Sequence, residues 1–374
     1  MTENAELNAP TTKPKRLLSL DVFRGLTIAM MILVNDPGDW GHIYPPLEHS
    51  KWNGCTPTDL VFPFFLFMVG VSIVYAMESK KIDPANHGKI ILHAFRRMVI
   101  LLLITYITQY VFHPGFAHLR FPGVLPRIAV VYFLSTLLFL KTSQKTRDWL
   151  LGIILIAYYI VMTFVPVPGV GPASLEPENN MGALIDRLVF TTNHLWRESH
   201  TWDPEGLLGT LPAIGTCLIG IRVGTWIKKQ GTEESVKVSW MFFYGILAVA
   251  VGLVWDLFFP INKALWTSSF VLYTGGLATI GLAFCYWLID VQGHKRFTYF
   301  FHVFGINAIT AYVLSGWIPH YMGMIKLGGH SIYQTFFQPF FSPVNASLVS
   351  AIFTVLVLWL VMWVFYIRKI IIKI

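Results

Sequence analysis

The chain has 374 residues, of which 55% are hydrophobic and only 13% charged. A soluble domain carries roughly 25% charge, so this composition excludes a water-soluble globular fold and makes lipid the solvent for most of the chain. The net charge of +8 gives no reason to expect nucleic acid, because Lys and Arg are scattered between apolar stretches; a bias toward cytoplasmic loops accounts for them.

Residues 1–16, MTENAELNAPTTKPKR, are polar and close on a basic cluster, which reads as a cytoplasmic N-terminal tail. The next stretch has Asp21 and Arg24 near its start and no small-residue cleavage site behind it. It is therefore expected to be a retained helix rather than a secretory leader. A crossing helix needs about 20 mostly apolar residues. Stretches of that kind begin near Leu17, Pro57, Lys89, Gly123, Trp149, Glu205, Trp240, Ala264, Thr298 and Ala346. The expected fold class is all-α, a polytopic membrane helical bundle of about ten transmembrane helices within residues 17–374.

The basic residues orient such a bundle. Lys13, Lys15 and Arg16, then Lys80, Lys81, Lys89, Arg96 and Arg97, then Lys141, Lys145 and Arg147 fall on one side. Lys228, Lys229, Lys237, Lys295, Arg296, Arg368, Lys369 and Lys373 join them. The other side holds only Lys51, Arg120, Arg187, Arg197, Lys263 and Lys326. Positive residues mark the cytoplasmic side, so both termini are expected inside. Three long connections, about 37–56, 165–204 and 320–345, are expected outside, and long loops often carry function. Cys55 falls in a loop and Cys217 and Cys285 in apolar spans, a pattern that fits neither a disulfide framework nor a metal site.

Polar groups inside a membrane are costly and are functional candidates. Asp21 and Arg24 share one helix face and read either as an interfacial ion pair or as an anchor for an anionic ligand. The densest cluster is VNDPGDWGHIYPPLEHSKWNGCTPTDLVFPFF, which gathers Asn35, His49, Trp52, Asn53 and Asp59. Thr56, Pro57 and Asp59 also read as a helix start. Arg127 is an interfacial cation or a ligand contact, and Arg222, toward the cytoplasmic end of its span, a phosphate contact. Asp203 and Glu205 in WDPEG read as a helix cap or as acceptor-binding groups. Asn262 faces an acceptor, beside the interfacial Trp266, and Asn307 is a buried amide bonding between helices.

The run LSLDVFRGLTIAMMILVNDPG, followed by EHSKWNGCTPTDLVFPFFLFMVGVSI, resembles the membrane domain of heparan-alpha-glucosaminide N-acetyltransferases and their bacterial relatives. GVLPRIAVVYF, TWDPEGLLGTLPAIGTCLIGIRVG and PINKALWTSSFVLYTGG are similar to later blocks of that family in the same order. The sequence begins without the extra lumenal region and first helix of the animal enzymes, as expected of a minimal bacterial form. The resemblance implies a transmembrane acyltransferase domain over residues 17–374 in a bacterial inner membrane. It implies transfer of acetyl from cytoplasmic acetyl-CoA, a co-substrate, to the amine of glucosamine or a glucosamine-terminated sugar on the periplasmic side.

The family's catalytic histidine precedes its WNG motif, the place of His49 here, and Asn35 and Asp59 match polar positions close to it. The residues agree with that chemistry. A sugar amine must lose a proton before it attacks a thioester, and imidazole accepts one near neutral pH. His49 is thus a general base, or itself the acetyl acceptor. Asp59 fixes its tautomer and Asn35 bonds the developing oxyanion. Arg24, Asp21, Arg222 and Arg127 are the expected cofactor contacts, and Trp52, Asn53, Asp203, Glu205 and Asn262 the expected acceptor contacts. Expected partners are the amino sugar and the lipid bilayer, with a homodimer possible, no nucleic acid and no metal. The rival readings are an inner-membrane sugar transporter and an acyltransferase for another acceptor.

Overall fold

The computed structural model describes residues 17–372; the expected tail, including Lys13, Lys15 and Arg16, and Lys373 lie outside the described residues. The chain forms α1 (Leu18–Asn35), α2 (Val61–Lys81), α3 (His87–Phe112), α4 (Val124–Lys141) and α5 (Gln144–Phe164). A short α6 (Met181–Phe190) precedes α7 (Thr210–Lys228), α8 (Glu234–Asp256) and α9 (Ser268–Cys285). Then come α10 (Thr298–Ile306), α11 (Ala308–Met324), a two-residue hairpin pairing β1 (Lys326–Leu327) with β2 (His330–Ser331), α12 (Ile332–Phe336) and α13 (Pro343–Ile367). Among the described residues nine helices are long and apolar enough to cross a bilayer, and α10 with α11, bent by 86°, makes a tenth crossing if the pair is one span. This is the all-α polytopic membrane bundle the apolar runs predict.

Apolar attraction between helices is weak in lipid, so close backbone packing must replace it. Glycine permits that packing at two seams flanking the site. A Cβ on Gly70 of α2 would lie 2.1 Å from the Cys217 carbonyl oxygen of α7, and one on Gly220 would lie 2.0 Å from that of Phe67. Likewise Gly25 of α1 abuts the Phe301 carbonyl of α10, and Gly305 abuts that of Asp21. α1, α2, α4, α7 and α9 form the interior, while α3, α5 and α8 turn Leu103, Ile107, Ile153, Ile156, Ile246 and Val254 outward.

Two expectations are corrected. The sixth crossing does not start near Glu205; residues 203–209 form turns and α7 starts at Thr210. Asp203 Oδ1 does accept from Glu205 N at 2.9 Å, but it closes an isolated turn rather than a helix, and both Asp203 and Glu205 are paired with Arg120. Asn307 does not bond between helices either. It stands at the break between α10 and α11, where its amide donates to Ile370 O at 2.9 Å and accepts from Ile372 N at 3.0 Å. It ties the chain beyond α13 to the bend.

Candidate active site

α1 ends and α2 begins at the same end of the bundle, and the connection between them folds over that end. Its anchor is Asp59, in the turn Pro57–Leu60 that leads into α2, with its side chain 1% exposed. Oδ2 of Asp59 accepts from Ser50 N at 3.0 Å and Thr56 N at 3.1 Å; the Thr56 hydroxyl is 3.2 Å away and also reaches Glu48 O at 2.6 Å. Oδ1 faces His49 Nδ1 at 2.6 Å. The expected helix start is present, and the carboxylate that forms it also orients the histidine. A carboxylate only accepts, so Nδ1 carries the proton and Nε2 is left basic.

His49 lines a cavity of about 360 Å³ together with Asn35, Trp52, Glu205, Arg120 and Lys263. Asn35 is the last residue of α1, and its amide makes no side-chain hydrogen bond among the described residues. One wall is aromatic: Trp52 meets Trp202 edge-on at 5.0 Å between ring centroids, Trp202 meets Trp196 at 5.3 Å, and Trp52 Nε1 donates to Leu175 O at 3.1 Å. Asn53 and Asn262 do not line the cavity. They bond to each other, Asn262 Nδ2 donating to Asn53 Oδ1 at 3.1 Å, and so join the first long loop to the turn before α9. Cys55 lies beside the site, but burial, aided by the Asp59 charge, pushes its thiol up to about 12. It is not a thiolate at neutral pH.

The same cavity is lined by an ion cluster built from two loops. Arg120 donates Nε to Asp203 Oδ2 at 2.8 Å and Nη2 to Asp203 Oδ1 at 2.6 Å and Glu205 Oε2 at 2.5 Å. Burial opposes the Arg120 charge, yet the two carboxylates hold its pKa above the usual guanidinium value. Behind them Asp186, 2% exposed, accepts from Leu207 N at 2.8 Å. Gly206 is required there, since a Cβ would fall 2.0 Å from the Asp186 carboxylate. Burial raises the Asp186 carboxyl to about 6.

The expected cofactor residues separate. Arg24 lines a second cavity, of about 400 Å³, toward the Lys-rich end, with Ser72, His93, Arg97 and Tyr132. It donates Nη1 to Asp21 at 3.0 Å and Nη2 to Ser72 Oγ at 2.7 Å, and Asp21 is buried. Arg127 is away from that cavity: it donates to Gly206 O at 2.8 Å and stacks 5.2 Å from the Trp266 ring, beside the acidic cluster. Arg222 lines neither cavity and faces Asp148 at 3.6 Å, 59% exposed. The two cavities share three lining residues, Phe65, Ile128 and Ile309.

The profile described as Heparan-alpha-glucosaminide N-acetyltransferase, catalytic, matches residues 16–259, a span that contains Asn35, His49 and Asp59. The chain belongs to the heparan-alpha-glucosaminide N-acetyltransferase family. The heparan-alpha-glucosaminide N-acetyltransferase of Homo sapiens is 31% identical over 377 aligned residues, 87% of this chain and 54% of that protein. The Mus musculus protein of the same name is 31% identical over 375, covering 86% and 54%. The chain thus spans about half the length of these relatives. Within this family framework, sequence reasoning passed over Arg120, Lys263, Trp196 and Trp202, all lining the His49 cavity, and His93 and Arg97 at the other. The signals available were a lone loop cation in each of HLRFPG and PINKALW, and tryptophans flanking the acidic WDPEG turn.

Proposed function

We propose that this protein is a transmembrane acetyltransferase, moving acetyl from acetyl-CoA to the amine of glucosamine or a glucosamine-terminated sugar. The carrying observation is a buried carboxylate holding a histidine Nδ1 at 2.6 Å in a cavity that abuts a second, cationic cavity toward the other end. Arg24, Arg97 and His93 suit the CoA phosphates, which favour charge-assisted contacts. Phe65, Ile128 and Ile309 suit passage of the acyl-bearing arm toward His49.

In the direct route the amine nitrogen bonds to the thioester carbonyl carbon while His49 Nε2 removes its proton. The C–S bond then breaks, and the departing sulfur takes that proton back from His49 and leaves as the thiol. In the stepwise route His49 first carries the acetyl group, and labelled protein accumulates without acceptor. The sugar lies against Trp52, Trp196 and Trp202, with Glu205 and Arg120 near its hydroxyls. Arg127 and Asp203 act by keeping that cluster charged, and Asn53 and Asn262 by fixing the loops.

In this reading the Lys-rich end faces the cytoplasm of a bacterial inner membrane and the His49 loop the periplasm, an orientation that the bias of positive residues supports. Residues 17–374 then act as one catalytic domain behind a cytoplasmic tail of residues 1–16. The test is CoA release from acetyl-CoA by purified protein, dependent on added glucosamine. Release with a different acceptor alone supports an acyltransferase of other specificity. A sugar carrier, which cavities at both ends also favour, moves sugar without releasing CoA. For orientation, Ile43→Cys in a protein lacking Cys55, Cys217 and Cys285 is expected to react with an impermeant thiol reagent from the periplasmic face, and labelling only from the cytoplasm would overturn the orientation.

A further inference from the structure

Lys263 stands within reach of both members of the His49–Asp59 pair. Its Nζ is 3.1 Å from His49 Nδ1 and 3.4 Å from Asp59 Oδ1, across 214 residues of sequence from His49. An ammonium only donates and a carboxylate only accepts. With Nδ1 donating to Asp59, it has no lone pair for Lys263, so the lysine meets the Asp59 carboxylate as an ion pair. The other ammonium protons have no acceptor among the described residues, and Lys263 lines the His49 cavity.

The turn that carries Lys263 is over-determined. Asn262, fully buried, accepts from Leu265 N at 2.9 Å, and its own N donates to Thr267 Oγ1 at 3.0 Å. Its side chain reaches Asn53, and Gly54 N donates to Ile261 O at 2.7 Å, so the turn is fastened to the His49 loop. Trp266 adopts φ 54°, a strained backbone for any residue with a Cβ, while fully buried with its indole N–H on Thr216 Oγ1 at 3.1 Å. Strain of this kind persists where the surroundings enforce it, and it collects at functional sites. A solvated surface lysine needs none of this; the Lys263 side chain is only 20% exposed.

We infer that Lys263 is a catalytic residue whose ammonium holds the carbonyl oxygen as it gains negative charge during acyl transfer. This rests on the acyltransferase reading. As the amine nitrogen bonds to the thioester carbon, the C=O electron pair moves onto oxygen, beside Lys263. His49 Nε2 takes the amine proton. Collapse re-forms C=O and breaks C–S, and the sulfur leaves with the proton from His49, giving amide and thiol. A donor fixed in advance at that oxygen stabilises the transition state more than the ground state. The other titratable groups around the cavity are Lys51, Arg120, Glu205 and Tyr312, with Cys55 adjoining Asp59. Arg120 is committed to Asp203 and Glu205, and of the two remaining cations, Lys51 and Lys263, only Lys263 pairs with His49 and Asp59 among the described residues.

The test uses full-length protein with acetyl-CoA and glucosamine. Lys263→Met is expected to lower kcat about 100- to 1,000-fold, the usual cost of losing an oxyanion donor, with KM for acetyl-CoA little changed. Lys263→Cys, in protein lacking Cys55, Cys217 and Cys285, is expected to be equally slow. Alkylation with 2-bromoethylamine, which rebuilds a cation of similar reach, should restore it, and neutral iodoacetamide should not. The inference is overturned if Lys263→Met keeps kcat near that of the unmodified protein, or if the neutral reagent restores activity as well as the cationic one. Absence of CoA release by the unsubstituted protein would instead overturn the acyltransferase reading and the Lys263 role with it.

Discussion

Asp59 and His49 are bound into one unit: the carboxylate oxygen that receives His49 Nδ1 at 2.6 Å belongs to a group whose second oxygen closes the first turn leading into α2. The orientation of His49 and the helix start therefore depend on the same side chain. Removing His49 and removing Asp59 should differ in kind. His49→Ala leaves the turn intact, and is expected to lower transfer about 100- to 10,000-fold, the range for losing a general base, with a smaller fall in melting temperature than Asp59→Asn. Asp59→Asn is expected to lower both transfer and stability, the latter by about 1–3 kcal/mol, because one of the two accepting oxygens becomes an NH2 group that faces donors. Parallel rate and thermal-melt measurements check the contrast. Near-normal transfer by His49→Ala would defeat the assignment.

Arg24 and Arg97 share a cavity, and Arg222 does not. Each charge-assisted phosphate contact is worth about 1.5–3 kcal/mol. Arg24→Ala and Arg97→Ala are each expected to weaken CoA binding by roughly ten- to a hundredfold on that scale. Arg222→Ala should leave it unchanged. Calorimetric titration of the three variants with CoA decides, and an Arg222 effect as large as that of Arg24 would move the nucleotide site.

Phe65, Ile128 and Ile309 separate the two cavities. If the acyl-bearing arm passes between them, bulk added there should block chemistry without blocking the nucleotide site. Ile309→Trp is expected to lower kcat by about 100-fold, the scale of a misplaced reactive group, while CoA still binds. Equal loss of binding and turnover would mean that the arm follows another path.

Burial holds the Asp186 carboxyl at about 6, above its ordinary value of 3.8. In the intervening pH range the folded state binds more protons than the unfolded one, so stability falls as pH rises. The Asp186 contribution is fully present below about pH 4 and is lost on passing pH 6, amounting to about 2–3 kcal/mol. Asp186→Asn should therefore flatten the decline in melting temperature between pH 4 and pH 7. A difference between the two proteins that does not vary with pH would contradict this.

The apolar runs alone determine the all-α membrane bundle, because about 20 consecutive apolar residues have no other use, and nine of the expected crossings are helices of the required length and composition. The Thr56–Pro57–Asp59 start was legible for the same reason: capping is local chemistry. WDPEG carries the same local signal, and Asp203 does accept from Glu205 N, yet no helix starts there and Asp203 also pairs with Arg120, 83 residues away in sequence, which no short-range rule can foresee. The ninth crossing reads as one apolar stretch, whereas its bend at Asn307 depends on the chain beyond α13. Sequence could single out His49, but not that Lys263 meets it across 214 residues, nor that Arg24 and Arg222 part company. Hydrophobicity and capping act over one or two helical turns, whereas pairings between loops are set by how helices seat against one another, and here by the glycine seams that bring α2 to α7 and α1 to α10.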